Sequence, residues 1–475
     1  MTKSFITNKP ALNMTLVGFG QAGARIVDVF AKYQTAEGEQ TYNCLALNSN
    51  EGDFKELRYI DPSNRISLDL GGLGKNPEKA EKILAKDQRV KSIMHNFISK
   101  KLRVKDDLVL FVAGLGGGTG TSTIVKTIED FYELHNKPII QQVLDKMIAQ
   151  VGEEVYKQRE VEINQRAFKV AEEQFVKIGV IACLPLEHEG HDVLRQVSKF
   201  ANKIWKLAND PKKGVSFVIF PDNQFFYNNF KQLPQTTKDS FDNYRDYSNY
   251  EIANTLHEIN AAANQGGTSI VMDSEDLKRA LTERKGCLFI SKQEVPSTVV
   301  ESALDITKLF EKTMMTNCMH DPIEIQSENG FAKLYHMGLL ASIDSKKDYG
   351  NGSFMEAATE VAYEHLPFTG TIFNGYVQEK NESKVTTYVF YKADALPKRL
   401  SKGLAQEYNE YISAIKEANF TSAGIEKIEE NNLDLLEEVT LSELGLDDFI
   451  SAEPAKDGED PTDILAILDD FDFTF

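Results

Sequence analysis

The sequence predicts an α/β protein in which a mostly parallel sheet carries helices on both faces and a second α+β unit follows. Three observations lead there. Short apolar runs alternate with helical stretches through the first half of the 475 residues. The ends of those runs carry glycine-rich segments, where a strand would turn into a helix. After about residue 285 the alternation gives way to separate strands and helices.

The first set of strands is read from MTLVGFG (14–20), TYNCLALN (41–48), DLVLFVAG (107–114), KIGVIACLP (177–185) and GVSFVIFP (214–221). In such sheets ligands sit beyond the carboxyl ends of the strands, and here those ends hold the unusual residues. From about 140 to 176 the chain has no proline, is rich in charge and keeps an apolar stripe at helical spacing. That predicts one long helix or a helical hairpin, offering a solvated face or a surface for a partner or neighbouring subunit. An asparagine-rich helix, NYEIANTLHEINAAAN (249–264), follows the fifth strand and its loop. GCLFISK (286–292), AKLYHMGLLASI (332–343), TGTIFNGYVQ (369–378) and TTYVFYKA (386–393) predict the second unit. Pro397 then opens a helix, at a position where its missing N–H costs little. The expected organisation is a first domain over 1–245 with the helical insertion, a central helix and loop over 246–284, and a second α+β domain over 285–395. A long C-terminal helix over 396–421 and an acidic tail over 422–475 complete it.

A chain of this length can bury two cores. No apolar run approaches a bilayer span, and MTKSFITNKPALNM lacks the apolar core of a signal peptide, which argues against export. Cys44, Cys183, Cys287 and Cys318 are scattered without a C-x-x-C pair, which argues against structural zinc and disulfides and for a reducing cytoplasm. The net charge of −19 is uneven: from Glu426 onward seventeen acids stand against Lys427 and Lys456, a balance of −15 that leaves about −4 elsewhere. Such a tail repels nucleic-acid phosphates and suits a basic surface or a protein partner. Its acids alternate with Leu465, Leu468 and Phe471, a pattern expected to stay disordered until docked.

GLGGGTGTST (114–123) follows the run Asp107–Ala113 and precedes TIVKTIEDFYELH. A strand, a glycine turn and a helix let bare backbone approach an anion, with N–H groups and the positive helix end pointing at it. A simple tight turn needs one or two glycines, not four flanked by threonines, so the segment reads as a phosphate loop. GFGQAG (Gly18, Gly20, Gly23) fits G-x-G-x-x-G, the mark of a dinucleotide oxidoreductase. The next strand, however, ends at Asn48 and not at the acid that would hold ribose. A second glycine loop favours a nucleoside triphosphate, and the absence of G-x-x-x-x-G-K-[ST] excludes a P-loop enzyme. LDLGGLGKNPEKAEKIL adds Gly71, Gly72 and Gly74 ahead of another helix. HEGH (188–191) lacks H-E-x-x-H spacing and a third ligand, so metal binding by His188 and His191 is not expected. Glu189 is instead a candidate acceptor for ribose hydroxyls. MDSEDLKRA sets Asp273, Glu275 and Asp276 just before a helix, and Glu275 reads as an acidic first turn favoured by the dipole.

In this order the motifs resemble those of the tubulin/FtsZ superfamily. GLGGGTGTS is similar to G-G-G-T-G-[ST]-G, with Ser122 where the last glycine is usual. GFGQAG resembles the first nucleotide loop, LGGLGKNP the third, LPLEHEG the fifth and FPDNQ the sixth, while MDSED resembles the loop that completes catalysis. The likeness covers about residues 12–420, strongly in the first half and weakly after 290. NTLHEIN (254–260) and LPKRL look like the plasmid and phage branch, the TubZ and PhuZ proteins. Three departures stand out: Val271 replaces the asparagine of N-x-D-x-x-D, Arg195 is the nearest residue to the fifth loop's arginine, and the C-terminal residues are not a basic membrane-adaptor peptide.

The resemblance implies a tubulin/FtsZ-like fold whose first domain binds GTP, and a polymerisation-activated GTPase using GTP/GDP and Mg2+, the metal held through the phosphates. It implies that Gly20, Gln21, Ala22, Arg25, Asn48, Gly72, Gly74, Gly116, Gly117, Gly118, Thr119, Gly120, Thr121 and Glu189 line the nucleotide. Tyr244 would stack on guanine and Asn249 would hydrogen-bond it. Asp273 and Asp276 would act on the nucleotide of the neighbouring subunit. The implied partners are further copies in head-to-tail filaments and a DNA-binding adaptor bridging to plasmid or phage DNA, in the cytoplasm of a bacterial host. Neither direct DNA binding nor membrane association is implied. An FtsZ-like division-ring protein is the alternative, and a dinucleotide-binding oxidoreductase the remote one.

Overall fold

The apolar runs of the first half become strands whose residues are buried almost throughout, as a sheet covered on both faces requires. The computed structural model describes residues 9–417 except 36, 72, 74–75, 264, 266–267, 322–325, 328–329 and 380–382. Gly72, Gly74 and the tail residues 422–475, with Leu465, Leu468 and Phe471, lie outside the described residues.

In chain order, β1 (Met14–Phe19) leads into α1 (Gly20–Phe30), β2 (Asn43–Asn48), the short β3 (Arg65–Ser67), α2 (Pro77–Lys86) and α3 (Gln88–Lys100). β4 (Leu108–Gly114) is followed by α4 (Gly118–Phe131), α5 (Lys137–Val151), α6 (Glu153–Gln158) and α7 (Glu160–Glu173). Then come β5 (Ile178–Cys183), α8 (His191–Asn209), β6 (Val215–Ile219), α9 (Asn223–Gln232), α10 (Gln235–Lys238), α11 (Tyr244–Ala262) and α12 (Ser274–Thr282). The last part comprises β7 (Cys287–Pro296), α13 (Ala303–Met314) and a two-residue ladder of β8 (Gln326–Ser327) with β9 (Gly330–Phe331). β10 (Leu334–Asp344), α14 (Ser353–His365), β11 (Phe368–Glu379), β12 (Lys384–Ala393) and α15 (Leu404–Glu417) follow.

Apart from β8 and β9, the described strands form one sheet in the order β11-β10-β12-β7-β6-β5-β4-β1-β2-β3. From β3 to β6 every pairing is parallel, while β7 and β10 pair antiparallel with β12. The second unit is therefore not a separate sheet. β7 joins the edge of β6 in parallel through Val218 and Cys287, where the two patterns meet.

The helical insertion is a hairpin. α5 and α7 pack on each other around their own apolar cluster, Val143, Met147, Ile163, Ala167, Ala171 and Phe175. The asparagine-rich helix begins at Tyr244, five residues earlier than its sequence pattern indicates, because Asn243 caps the amides of Arg245 and Asp246. α11 is buried between the two halves, so its polar residues are satisfied on different sides. His257 stacks on Tyr33 with ring centroids 3.8 Å apart and stands 2.8 Å from the Tyr42 hydroxyl. Asn260 exchanges hydrogen bonds with the Leu12 backbone at 2.8 and 3.0 Å. Towards the second unit, Glu258 pairs with Lys292 at 2.6 Å and accepts from the Tyr388 hydroxyl at 2.9 Å. Among the described residues no helix is long and apolar enough to cross a membrane.

Candidate nucleotide-binding site

The carboxyl ends of β1, β2, β4 and β5 bring the glycine loops together. α1 and α4 both start without a side-chain cap on their first amides, so those N–H groups are left for an anion. Gly20 has a φ of +66°, and a Cβ added there would stand 2.8 Å from the Gly120 nitrogen. A Cβ at Gly120 would come 2.7 Å from the Phe19 carbonyl oxygen, so the two helix starts abut backbone to backbone. On the other side, a Cβ at Gly118 would meet the Asn76 nitrogen at 2.9 Å, which brings the third loop against the start of α4. Gly117 alone of this set faces open space, with no atom within 4 Å of the Cβ position.

The side chains divide into those that build the cradle and those that are left to use it. Thr121 is fully buried and donates to the carbonyls of Leu115 at 3.0 Å and Gly117 at 2.5 Å. Ser122 donates to Gly118 at 2.9 Å and Thr123 to Thr119 at 2.6 Å. These hydroxyls stiffen the loop from behind. Thr119 lies 2.8 Å from the Ser49 hydroxyl, which joins the second and fourth loops. Asn48 accepts from the Ser49 amide at 2.7 Å, yet its buried Nδ2 has no hydrogen-bond partner. A buried amide donor left unmet costs about 1–3 kcal/mol, so a nucleotide acceptor there fits the site. Gln21 and Ala22 are exposed on the first turn of α1. Arg25, one turn further along, is engaged in an ion pair with Glu56.

Glu189 follows β5 in a short turn, and its Oε2 lies 3.3 Å from a Cβ position on Gly116. Tyr244 opens α11, meeting Tyr227 edge-on at 5.2 Å with the Arg245 guanidinium 5.1 Å from its ring centroid. Burial raises the Tyr244 phenol above its usual range, and the nearby Glu189 carboxylate pushes the same way. Glu189 and Tyr244 are thus neighbours, with Asn249 partly exposed further along α11. Among the described residues no group of three or more His, Cys, Asp or Glu side chains is placed to hold a metal.

Asp273 and Asp276 are elsewhere. They form a reciprocal capping box at the start of α12: Asp276 N–H donates to Asp273 Oδ1 at 2.8 Å, and Asp273 N–H to Asp276 Oδ2 at 3.4 Å. One turn on, Lys278 pairs at 3.1 Å with Asp107, which precedes β4. The phosphate loop begins beyond the other end of that strand. At about 3.3 Å per residue, β4 alone separates the two by roughly 20 Å.

Arg399 is the residue that sequence reading passed over, although LPKRL was singled out. Only 10% exposed, it donates to the Pro185 carbonyl and to Asp222 Oδ1, both at 2.6 Å, and also pairs with Glu407 at 2.7 Å. It roots the C-terminal helix on the fifth and sixth loops. Burial pushes the Asp222 carboxyl up to about 6, and Arg399 acts against that rise.

A ten-stranded sheet with its glycine loops at one end, a buried central helix and a carboxylate-capped helix at the other end make up a tubulin-like fold. No protein-family model matches the chain. It is similar to the tubulin-like protein TubZ of Bacillus cereus, with 22% identity over 407 residues, 82% of this chain and 81% of that protein. The fold is likewise similar to a GTPγS-form protofilament of TubZ from Bacillus thuringiensis serovar israelensis, with a TM-score of 0.62 and 17% identity over 89% of this chain and 96% of that one. A structure described as type III plasmid segregation TubZ gives a TM-score of 0.61 at 18% identity, covering 88% and 96% of the two chains.

Proposed function

We propose that the chain binds GTP at the glycine loops and assembles head to tail, hydrolysing GTP at the contact between subunits. One observation carries this reading: the phosphate cradle and the Asp273–Asp276 pair occupy opposite ends of the sheet. Neither reaches the other within a subunit, whereas stacking two copies end to end joins them. Phosphoryl transfer to water needs a positioned nucleophile and neutralised oxygens. The amides of the Gly20 and Gly116–Thr119 backbones and the Asn48 side chain supply hydrogen bonds to the phosphates, Glu189 meets the ribose, and Tyr244 and Asn249 take the base. Asp273 and Asp276, held at a fixed angle by their shared cap, orient the attacking water. A magnesium ion held through the phosphates, and not by a protein side chain, would supply neutralising charge for the transfer.

A filament driven by GTP in this way fits a cytomotive role in segregating or positioning plasmid or phage DNA, as the description of one structural neighbour as a plasmid segregation protein supports. A DNA-binding adaptor then makes the link to DNA, since the acidic balance of −15 in the tail repels phosphates. The test is sedimentation with GTP and with GDP, alongside Asp273→Ala. The wild type pellets with GTP and not with GDP. The variant keeps GTP binding and assembly, hydrolyses slowly and leaves filaments that persist. A normal hydrolysis rate in the variant, or no GTP-dependent pelleting of the wild type, overturns the reading.

A further inference from the structure

The helical insertion takes no part in the nucleotide site, yet it grows out of the phosphate-loop helix. α4 starts at the glycine loop and passes without interruption, through a π turn over Tyr132–Asn136, into α5. At the far end of the sheet the path is pinned: Asn136 Nδ2 donates to the Val176 carbonyl at 3.4 Å, and Val176 N–H donates to Asn136 Oδ1 at 3.1 Å. Val176 stands two residues before β5, so residues 137–175 lie beyond the amino ends of the strands. The 15 residues of α5 extend this arm by roughly 22 Å. Gly152, with a φ of +85°, turns the chain back, and Lys285, just after α12, approaches Glu172 at 3.8 Å and ties down the base of the arm.

The arm therefore projects from the end that carries Asp273 and Asp276, in line with α4, which has α2 and α8 packed beside it. A copy displaced along the strand direction receives the tip over the start of its own α4, between its α2 and α8. The chemistry of the two surfaces matches. The tip exposes Val155 (40%) and Val161 (70%) beside the acids Glu153, Glu154 and Glu160, which outnumber the exposed Lys157, with Arg159 paired to Glu162. The receiving rim exposes Lys79 and Lys82 on α2 and Arg195 on α8, while Glu78 and Glu81 of α2 are already paired with Lys199 and Lys203 of α8, which leaves the rim a basic excess. We infer that the α5–α7 arm is a second longitudinal contact, its acidic, valine-tipped end seated on the basic α2–α8 rim of the next subunit. This rests on the head-to-tail reading and adds to it a partner surface that the superfamily motifs do not contain.

A charge swap tests it in the full chain. Glu153→Lys with Glu154→Lys is expected to raise the critical concentration roughly two- to thirtyfold at low salt, the range of two surface pairs, with monomer GTP affinity unchanged. Lys79→Glu with Lys82→Glu is expected to do the same, and the four changes together restore assembly. A photocross-linker on Val161→Cys, in a Cys318→Ser background because the other three cysteines are buried, is expected to mark α2 or α8 of a neighbour only in filaments. Filaments whose cross-links fall on another face or on an unrelated protein, or a combined variant no better than the single pairs, overturn the arm contact while sparing the head-to-tail reading. A wild type that forms no filaments overturns both.

Discussion

Gly117 is where open space and a permissive backbone coincide. Its φ of −105° and ψ of 162° are extended values that valine adopts readily, and nothing lies within 4 Å of a Cβ there. Gly117→Val is therefore expected to fold normally and to lose GTP binding, because the side chain fills the approach to the α4 amides. Calorimetric titration with GTP beside a thermal melt checks both halves, and a folded variant with full affinity removes the phosphate-loop assignment. Gly23 is the opposite case. A Cβ on it would stand 2.1 Å from the Val112 carbonyl oxygen, so Gly23→Ala is expected to lower the melting temperature through lost helix–sheet packing. Both glycines stood out in the sequence, but their different jobs did not, since nothing in GFGQAG or GLGGGTGTST says which backbone faces a strand and which faces outward. Nor does the sequence show that the hydroxyls of Thr121 and Ser122 bond to carbonyls of the same loop, which only its folded course brings within reach.

At the scale of the element, α12 is fixed at both ends by different chemistry. Its first turn carries the Asp273–Asp276 box, and its last carbonyls are gathered by Lys392 of β12, whose Nζ donates to Leu281 at 3.0 Å, to Arg284 at 2.6 Å and to Glu283. Burial drives this ammonium from the usual 10.5 down to about 7, with Glu283 pulling the other way, and above that value the neutral amine keeps two of its three N–H donors for these carbonyls. Between those two values the unfolded chain binds the proton that the folded chain has released, so stability rises with pH across that window and the contribution is flat below it. The slope for one proton is at most about 1.4 kcal/mol per pH unit. Lys392→Met is expected to abolish this rise, so the wild type gains on the variant as pH climbs from 7 towards 10 in paired urea titrations. A difference that stays constant with pH would show that Lys392 is not the titrating group. The strands themselves were legible, because buried parallel strands must be apolar runs. The fusion of β6 with β7 was not, because a single register pair at Val218 and Cys287 leaves no mark on composition. Arg399 escaped for a related reason: Asp222 lies 177 positions away in the chain, and LPKRL read alone shows only that the residue is basic.

At the scale of the whole molecule, the C-terminal helix links the nucleotide end to whatever lies beyond it. Arg399 anchors the root of that helix to Pro185 and Asp222, in the loops that follow β5 and β6. The acidic residues come after the helix in sequence, and their balance of −15 sets them apart from the nearly neutral body. Charge alone would make the tail a solubilising brush, with no effect on assembly beyond repulsion between neighbours. The apolar residues in DILAILDDFDF argue for docking, since burying Leu465, Leu468 and Phe471 is worth roughly 1.5–3 kcal/mol each when complete. Their acidic neighbours steer such a segment towards a basic surface, on the next subunit or on an adaptor, with a strength that falls as salt rises. Truncation after Thr421 is accordingly expected to change the critical concentration at low salt and much less at high salt, and to leave GTP affinity unaltered because every glycine loop is distant in sequence. Light scattering at both salt concentrations, with nucleotide affinity measured on the same preparations, decides the matter. Equal critical concentrations for full-length and truncated chains in both buffers, with no partner lost on pull-down, would reduce the tail to a brush.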